Sequence, residues 1–145
     1  MQYKKILFVS TSDNCRGPWA AGIMMKNSDM QAESRGIISL FQEPANPKAT
    51  AVAKSNGVDI SEYMSRQLGF NDFSTDTLIL TMSESMKKKI YEDFTEAENV
   101  YTVKEFVGET GDIDETYGGG LSEYGMQFEE LERIVKKVIE KLQMK

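Results

Sequence analysis

Seven small or polar residues, Ser10-Thr-Ser-Asp-Asn-Cys-Arg16, separate an apolar run, Ile6 to Val9, from an apolar-rich stretch, Trp19 to Met25. Gly17-Pro18 closes the segment. Residues of these types in this order suit the capture of an anion. The apolar run predicts a buried strand. Pro18 suits the first turn of a helix, where a missing N–H costs nothing. A strand, a tight polar loop and a helix N-terminus direct main-chain N–H groups and the positive end of the helix dipole into the loop. Arg16 ends the loop with a planar fork that fits two phosphate oxygens at once. The expected phosphate-binding set is therefore Thr11, Ser12, Asp13, Asn14, Cys15, Arg16 and Gly17.

Histidine is absent from the whole chain. That excludes Ser-His-Asp and Cys-His mechanisms and the usual zinc sites. Any acid–base step then falls to carboxylates, and neither a metal nor a cofactor is expected. The single cysteine, Cys15, rules out an internal disulfide framework and fits a reducing compartment.

The elements that must position the loop follow from hydrophobic patterning. Lys4 to Ser10 reads as a first strand whose near-continuous apolar run implies a parallel strand covered on both faces. A helix is expected from about Pro18 to Asn27, with Trp19, Ile23 and Met24 on one stripe. Met30 to Ile37 predicts a weaker strand ending in Ser34-Arg35-Gly36, with Arg35 either adding positive charge near the loop or, the favoured reading, directed to solvent. Glu43-Pro-Ala-Asn-Pro47 is a turn-rich loop, followed by a helix from Lys48 to Asn56 that Gly57 stops. Thr77 to Met82 is a third strand. Ser83 is a suitable N-cap for a helix from Glu84 to Tyr91. Asn99 to Val103 is a fourth, short strand. Gly108 to Gly120 shows no hydrophobic period and reads as a long loop, a kind that is usually functional in compact domains. From Tyr124 to Met144, Phe128, Leu131, Val135, Val138 and Leu142 recur at helical steps and give the longest amphipathic face, one that must lie on the sheet.

Strands alternating with helices imply an α/β fold, a three-layer doubly wound sheet of four parallel strands. Ligands in such sheets sit beyond the carboxyl ends of the strands, which is where Ser10–Arg16 falls. The 145 residues suffice for one domain, 1–145, with a real core. A net charge of −6 argues against a nucleic-acid partner held by phosphate contacts. The N-terminal lysines precede an apolar run too short for a signal peptide or a membrane span, so a cytoplasmic location and no membrane partner are expected.

Val9 to Pro18 resembles the phosphate loop of the low-molecular-weight protein tyrosine phosphatases, which reads V-C-x-G-N-x-C-R-S-P. Without gaps, Val9, Cys15, Arg16 and Pro18 match. Ser10 stands at the family's nucleophilic cysteine, Ser12-Asp13 at its Gly-Asn and Gly17 at its serine. Pro44-Ala-Asn-Pro47, Val58-Asp-Ile60 and Ser65-Arg-Gln-Leu68 also resemble family segments, so the likeness covers nearly the whole chain in order. It implies a phosphatase fold and a covalent mechanism. A cysteine thiolate attacks phosphorus, loop amides and the arginine hold the equatorial oxygens, and an aspartic acid before a proline protonates the leaving oxygen. The family's D-P-[FY]-G-G aligns with Asp114-Glu115-Thr116-Tyr117-Gly118-Gly119. The resemblance places Glu115 at the general-acid position, with Asp114 as the neighbouring candidate, and Tyr117 in the substrate cleft. Phe41 is either the opposite wall of that cleft or buried packing. The catalytic set it implies is Ser10, Arg16, Glu115 and Asp114.

The departures carry weight. A serine hydroxyl has a far higher pKa than a thiol in an anion-binding loop, and no base stands near it in sequence. Ser10 is either a replacement made to trap substrate or a natural loss of the cysteine. A unit charge on Asp13 about 5 Å from a bound phosphate would oppose it by roughly 3 kcal/mol at an effective dielectric near 20. Alternatively its carboxylate points outward, and Asp suits a left-handed turn. Ser12 for glycine matters only where positive φ is required. Two functions follow. One is a phosphatase acting on phosphotyrosine or phosphoarginine in proteins, or on a small aryl phosphate, silent or substrate-trapping because of Ser10. The other is a divergent module that binds phosphorylated partners without turnover. Either would hold phosphate or sulfate in the loop. Arsenate reduction on this fold needs further cysteines, which the chain lacks.

Overall fold

A computed structural model describes residues 3–115 and 118–144. Four parallel strands form one sheet in the order β2-β1-β3-β4. These are β1 (Lys5–Ser10), β2 (Ala32–Gly36), β3 (Thr77–Thr81) and β4 (Val100–Thr102). In register, Ser10 lies opposite Gly36, and Val9 lies between Arg35 and Thr81. Five helices connect or follow the strands: α1 (Arg16–Asn27), α2 (Pro47–Ser55), α3 (Glu84–Asp93), α4 (Val103–Phe106) and α5 (Leu121–Gln143). This is the three-layer, doubly wound arrangement expected from the sequence.

The continuous apolar runs of β1 and β3 are explained by cover on both faces. Successive side chains of a strand point to opposite sides. Ile6 and Phe8, with Leu78 and Leu80, face one core that includes Trp19, Phe128 and Leu131. Leu7 and Val9, with Ile79, face a smaller core closed by Ile90, Leu68 and Val100. Trp19 is the centre of the larger core. Its ring meets Phe128 edge-on at 5.2 Å, and its indole N–H donates to the Ala49 carbonyl at 2.9 Å. A buried indole needs such an acceptor.

Several boundaries move, for local reasons. α1 begins at Arg16, two residues before the expected start, because the Trp19 amide already bonds to the Cys15 carbonyl at 3.0 Å. Pro18 still occupies the first turn, where no acceptor is lost. α2 begins at Pro47 because the Asn46 side chain caps it, accepting from the amides of Lys48 and Ala49. α4 was not expected from the hydrophobic pattern. It is a single turn built on a capping box in which Thr102 accepts from the Glu105 amide and Glu105 accepts from the Thr102 amide. Arg35 is only 8 % exposed, against the expectation of a solvent-facing side chain. It is drawn in by Glu33 at 2.9 Å and Asp72 at 3.3 Å.

Candidate active site

β1 delivers Ser10 to the carboxyl edge of the sheet, and the chain then wraps back into α1. Four carbonyls of this turn are bonded outward. Ser10 accepts from the Ile37 amide, Thr11 from Ile38, Asn14 from Asn46 and Cys15 from Trp19, at 2.8 to 3.0 Å. Among the described residues every peptide bond is trans. In a trans peptide the N–H points opposite to the C=O. Pinning those four carbonyls to the surround therefore turns the amides of Thr11, Ser12, Cys15 and Arg16 the other way. They face a cavity of about 220 Å³ lined by Ser10, Thr11, Ser12, Asn14, Cys15 and Arg16 on one side and by Asn46, Glu115 and Tyr124 on the other.

Arg16 is the cation of this cavity and is 5 % exposed. One guanidinium nitrogen, Nη1, donates to the Ile113 carbonyl at 2.7 Å. The other, Nη2, lies 3.0 Å from Glu115 Oε1 and 3.4 Å from Thr11 Oγ1. Burial pulls the guanidinium below its ordinary pKa, and the Glu115 carboxylate opposes that pull. The loop carrying Glu115 is held by Ile113. That side chain is buried, its amide donates to the Met82 carbonyl at 2.8 Å, and its carbonyl takes Arg16. The apparently patternless segment after Gly108 thus has one apolar anchor, set at the residue the arginine needs.

Asp13 does not enter the cavity, which corrects its place in the expected phosphate-binding set. It is the one residue of the loop with positive φ, 58°, and is completely buried. That turn sends its carboxylate to the back of the loop. There Oδ2 accepts from the Tyr63 hydroxyl and from the Arg66 amide, the latter at 2.8 Å. Burial raises the Asp13 pKa, against those hydrogen bonds and the neighbouring Arg35. Tyr63 also bonds Ser34, so the back of the loop is a closed network of Asp13, Tyr63 and Ser34. Ser12 is not at positive φ, so glycine is not required there. Gly17 is likewise outside the cavity lining. It sits in the first turn of α1, where an added Cβ would lie 3.1 Å from Ser34 Cβ and 3.0 Å from Asp13 Oδ1.

The remaining expected site residues divide. Ser10 is 3 % exposed and lines the cavity floor. Glu115 joins it through Arg16. Asp114 is exposed and outside the lining, its carbonyl taken by the Gln127 side chain. Phe41 is 77 % exposed. It is neither buried packing nor part of the lining, and its carbonyl accepts from the Ser65 hydroxyl. Tyr117 lies outside the described residues. Asn46 and Tyr124, joined by a 3.1 Å hydrogen bond, complete the wall and were not anticipated. Sequence alone places Asn46 only in a turn-rich loop, and nothing there ties it to the phosphate loop.

A larger cavity, about 460 Å³, opens behind the loop beside Tyr63, Pro18 and Arg35. Its two arginines are already paired, Arg35 with Glu33 and Asp72 and Arg66 with Glu33. The residues of the phosphate loop, Ser10 to Arg16, are not in its lining. The smaller cavity is therefore the candidate anion site.

Comparison with known proteins agrees with this geometry. Residues 5–145 match the model of the family described as low molecular weight phosphotyrosine protein phosphatase. The protein-arginine-phosphatase of Geobacillus stearothermophilus is 33 % identical over 143 residues, covering 96 % of both chains. The crystal structure of a low molecular weight protein tyrosine phosphatase from T. tengcongensis superposes with a TM-score of 0.88 at 36 % identity, covering 95 % of this chain and 99 % of that one. A Cys-to-Ser mutant of the YwlE arginine phosphatase, solved with a phosphorylated active site serine, superposes with a TM-score of 0.88 at 25 % identity, covering 96 % and 95 % of the two chains. A family match over almost the full length, on this fold and around this loop, has one reading: the chain belongs to the low-molecular-weight phosphotyrosine protein phosphatase family.

Proposed function

We propose that this protein takes up the phosphoryl groups of phosphorylated proteins in the Ser10–Arg16 loop, and that with serine at position 10 it captures the phosphoryl group rather than turning it over rapidly. One observation carries the proposal: the buried Arg16 guanidinium faces a cavity into which four loop amides are turned, with Ser10 at its floor. Backbone donors and a guanidinium around a tetrahedral anion supply the charge stabilisation that phosphoryl transfer needs. Glu115 now holds the guanidinium nitrogen that a phosphate oxygen would take. An incoming phosphate displaces it, and the released carboxyl stands beside the leaving oxygen as the proton donor. Serine in place of cysteine lacks the thiolate that attacks readily. The relative with a phosphorylated serine shows where such a phosphoryl group comes to rest in that protein, and the same fate is proposed for Ser10. Phosphotyrosine and phosphoarginine are both candidate substrates, since relatives of each kind match. We further propose that residues 1–145 act as a single domain in the cytoplasm, without metal or cofactor.

The test is the Ser10→Cys variant assayed with an aryl phosphate. Turnover should rise from the background of the parent protein by several orders of magnitude. In that variant Glu115→Gln should slow turnover about 100-fold, the usual value of a positioned acid, and Asp114→Asn much less. A folded Ser10→Cys protein without turnover would leave the second reading, a phosphate-binding module. Calorimetry with phosphate then decides whether even that stands.

A further inference from the structure

Two buried side-chain oxygens lack a hydrogen-bond partner among the described residues: Ser10 Oγ and Asp13 Oδ1. Buried polar groups are nearly always paired, so each exception calls for a reason. These two exceptions converge. The point at which a Cβ on Gly17 would sit lies 3.2 Å from Ser10 Oγ and 3.0 Å from Asp13 Oδ1. A side chain at residue 17 would crowd both oxygens and Ser34 Cβ at 3.1 Å, and glycine avoids that crowding. The other oxygen of Asp13 is fixed by the Tyr63 hydroxyl and the Arg66 amide, so the carboxylate cannot swing away.

From this geometry we infer that Asp13 is the proton acceptor for Ser10, a base supplied from the back of the loop in place of the missing thiolate chemistry. The inference rests on the reading of Ser10 as the phosphoryl acceptor. In the inferred step Ser10 turns about its Cα–Cβ bond to bring its hydroxyl to Oδ1, both oxygens lying within 3.2 Å of one point at Gly17. Oγ then bonds to phosphorus as the bond from phosphorus to the leaving oxygen breaks. The Ser10 proton passes to Asp13 Oδ1, and the leaving oxygen takes a proton from Glu115 or solvent. Proton transfer also removes the negative charge that stood behind the phosphate. A carboxylate raised by burial is a better base than a surface one, because proton transfer is most effective when the acceptor pKa approaches the working pH. The groups facing Asp13 are Ser34, Tyr63, the Arg66 amide and Arg35 from behind, with Ser10 Oγ on the side of Gly17. Of the hydroxyls near Asp13, those of Tyr63 and Ser34 are already engaged in hydrogen bonds, whereas that of Ser10 has no partner among the described residues. Sequence reading missed this base because Asp13 belongs to the loop itself.

The experiment follows phosphoserine formation by intact-mass spectrometry after mixing with an aryl phosphate, across pH, in the parent protein and in Asp13→Asn. Asparagine keeps an oxygen for Tyr63 and Arg66, and a thermal melt confirms folding. The rate should fall about 100-fold or more. The acid limb of the parent's pH profile should disappear, while calorimetric affinity for inorganic phosphate holds or tightens. In the Ser10→Cys background the effect should reverse. Removing the charge favours the thiolate, so half-maximal turnover moves to lower pH. Equal phosphoserine rates in parent and Asp13→Asn would overturn the inference, as would an equal loss in both backgrounds. A parent that binds phosphate yet forms no phosphoserine overturns the base role and leaves the anion site standing. A parent that does neither overturns the site itself.

Discussion

The phosphate loop has two faces built on opposite rules. On the front, the amides of Thr11, Ser12, Cys15 and Arg16 turn toward a cavity, and the guanidinium is satisfied by Glu115, a carboxylate half exposed at 49 %. On the back, Asp13, Tyr63, Ser34 and the Arg66 amide bond to one another. A site that must accept a charged guest keeps its donors pre-aimed and lightly occupied. The support that holds those donors is locked. The difference teaches where a change should strike anion binding and where it should strike stability, with Asp13, the inferred base, the one group that belongs to both.

The sharpest way to break that division is at Arg16. Arg16→Ala should weaken phosphate binding at least about 100-fold, roughly 2.7 kcal/mol, and abolish measurable turnover in a Ser10→Cys background. Titration calorimetry reads the first effect and an aryl phosphate assay the second. A variant that still binds phosphate would show that the amides alone suffice. Next comes the back. Tyr63→Phe deletes the hydroxyl that Asp13 accepts from and leaves a buried carboxylate short of a donor. Chemical denaturation should show a loss of about 1–3 kcal/mol, with phosphate affinity changed far less than by Arg16→Ala. Equal loss of affinity would mean that the two faces are not separable.

The smallest effect is a pH dependence, and its sign is fixed. The folded-state pKa of Asp13 lies above its unfolded value. Folding therefore favours the protonated form. The group's penalty is absent below the ordinary carboxylate range, grows as pH rises through the window between the two values, and is complete above the raised one. Asp13→Asn should accordingly raise the melting temperature at neutral pH relative to the parent, with the gain vanishing in acid. A gain that is the same at both pH values would argue against a raised Asp13.

How much was legible follows the range of the interaction involved. β1 and β3 could be read because their apolar runs report cover on both faces, a property of the run itself. The loop could be read because its amides and arginine are contiguous. The orientation of Asp13 was open. It depends on a left-handed backbone turn and on a phenol 50 residues away, neither visible in the loop's own letters. Arg35 was expected in solvent because its partner Asp72 comes from a separate turn, Phe70–Asp72. Ile113 was passed over as one apolar residue in a polar loop, although its main chain joins Met82 to Arg16. Asn46 and Tyr124 meet across 78 residues, so their shared wall exists only after α2 and α5 have packed.

The bond between the Ile113 amide and the Met82 carbonyl has a wider consequence. The chain leaves the sheet edge at Met82, forms α3, β4 and α4, and returns to the same spot. That excursion starts and finishes at one clasp. Lengthening or trimming the turns around α3 need not disturb Glu115, so relatives can diverge along this outer flank while the reacting groups keep their spacing. Loosening the clasp itself, by contrast, would let the carboxylate and its arginine drift apart together with the flank.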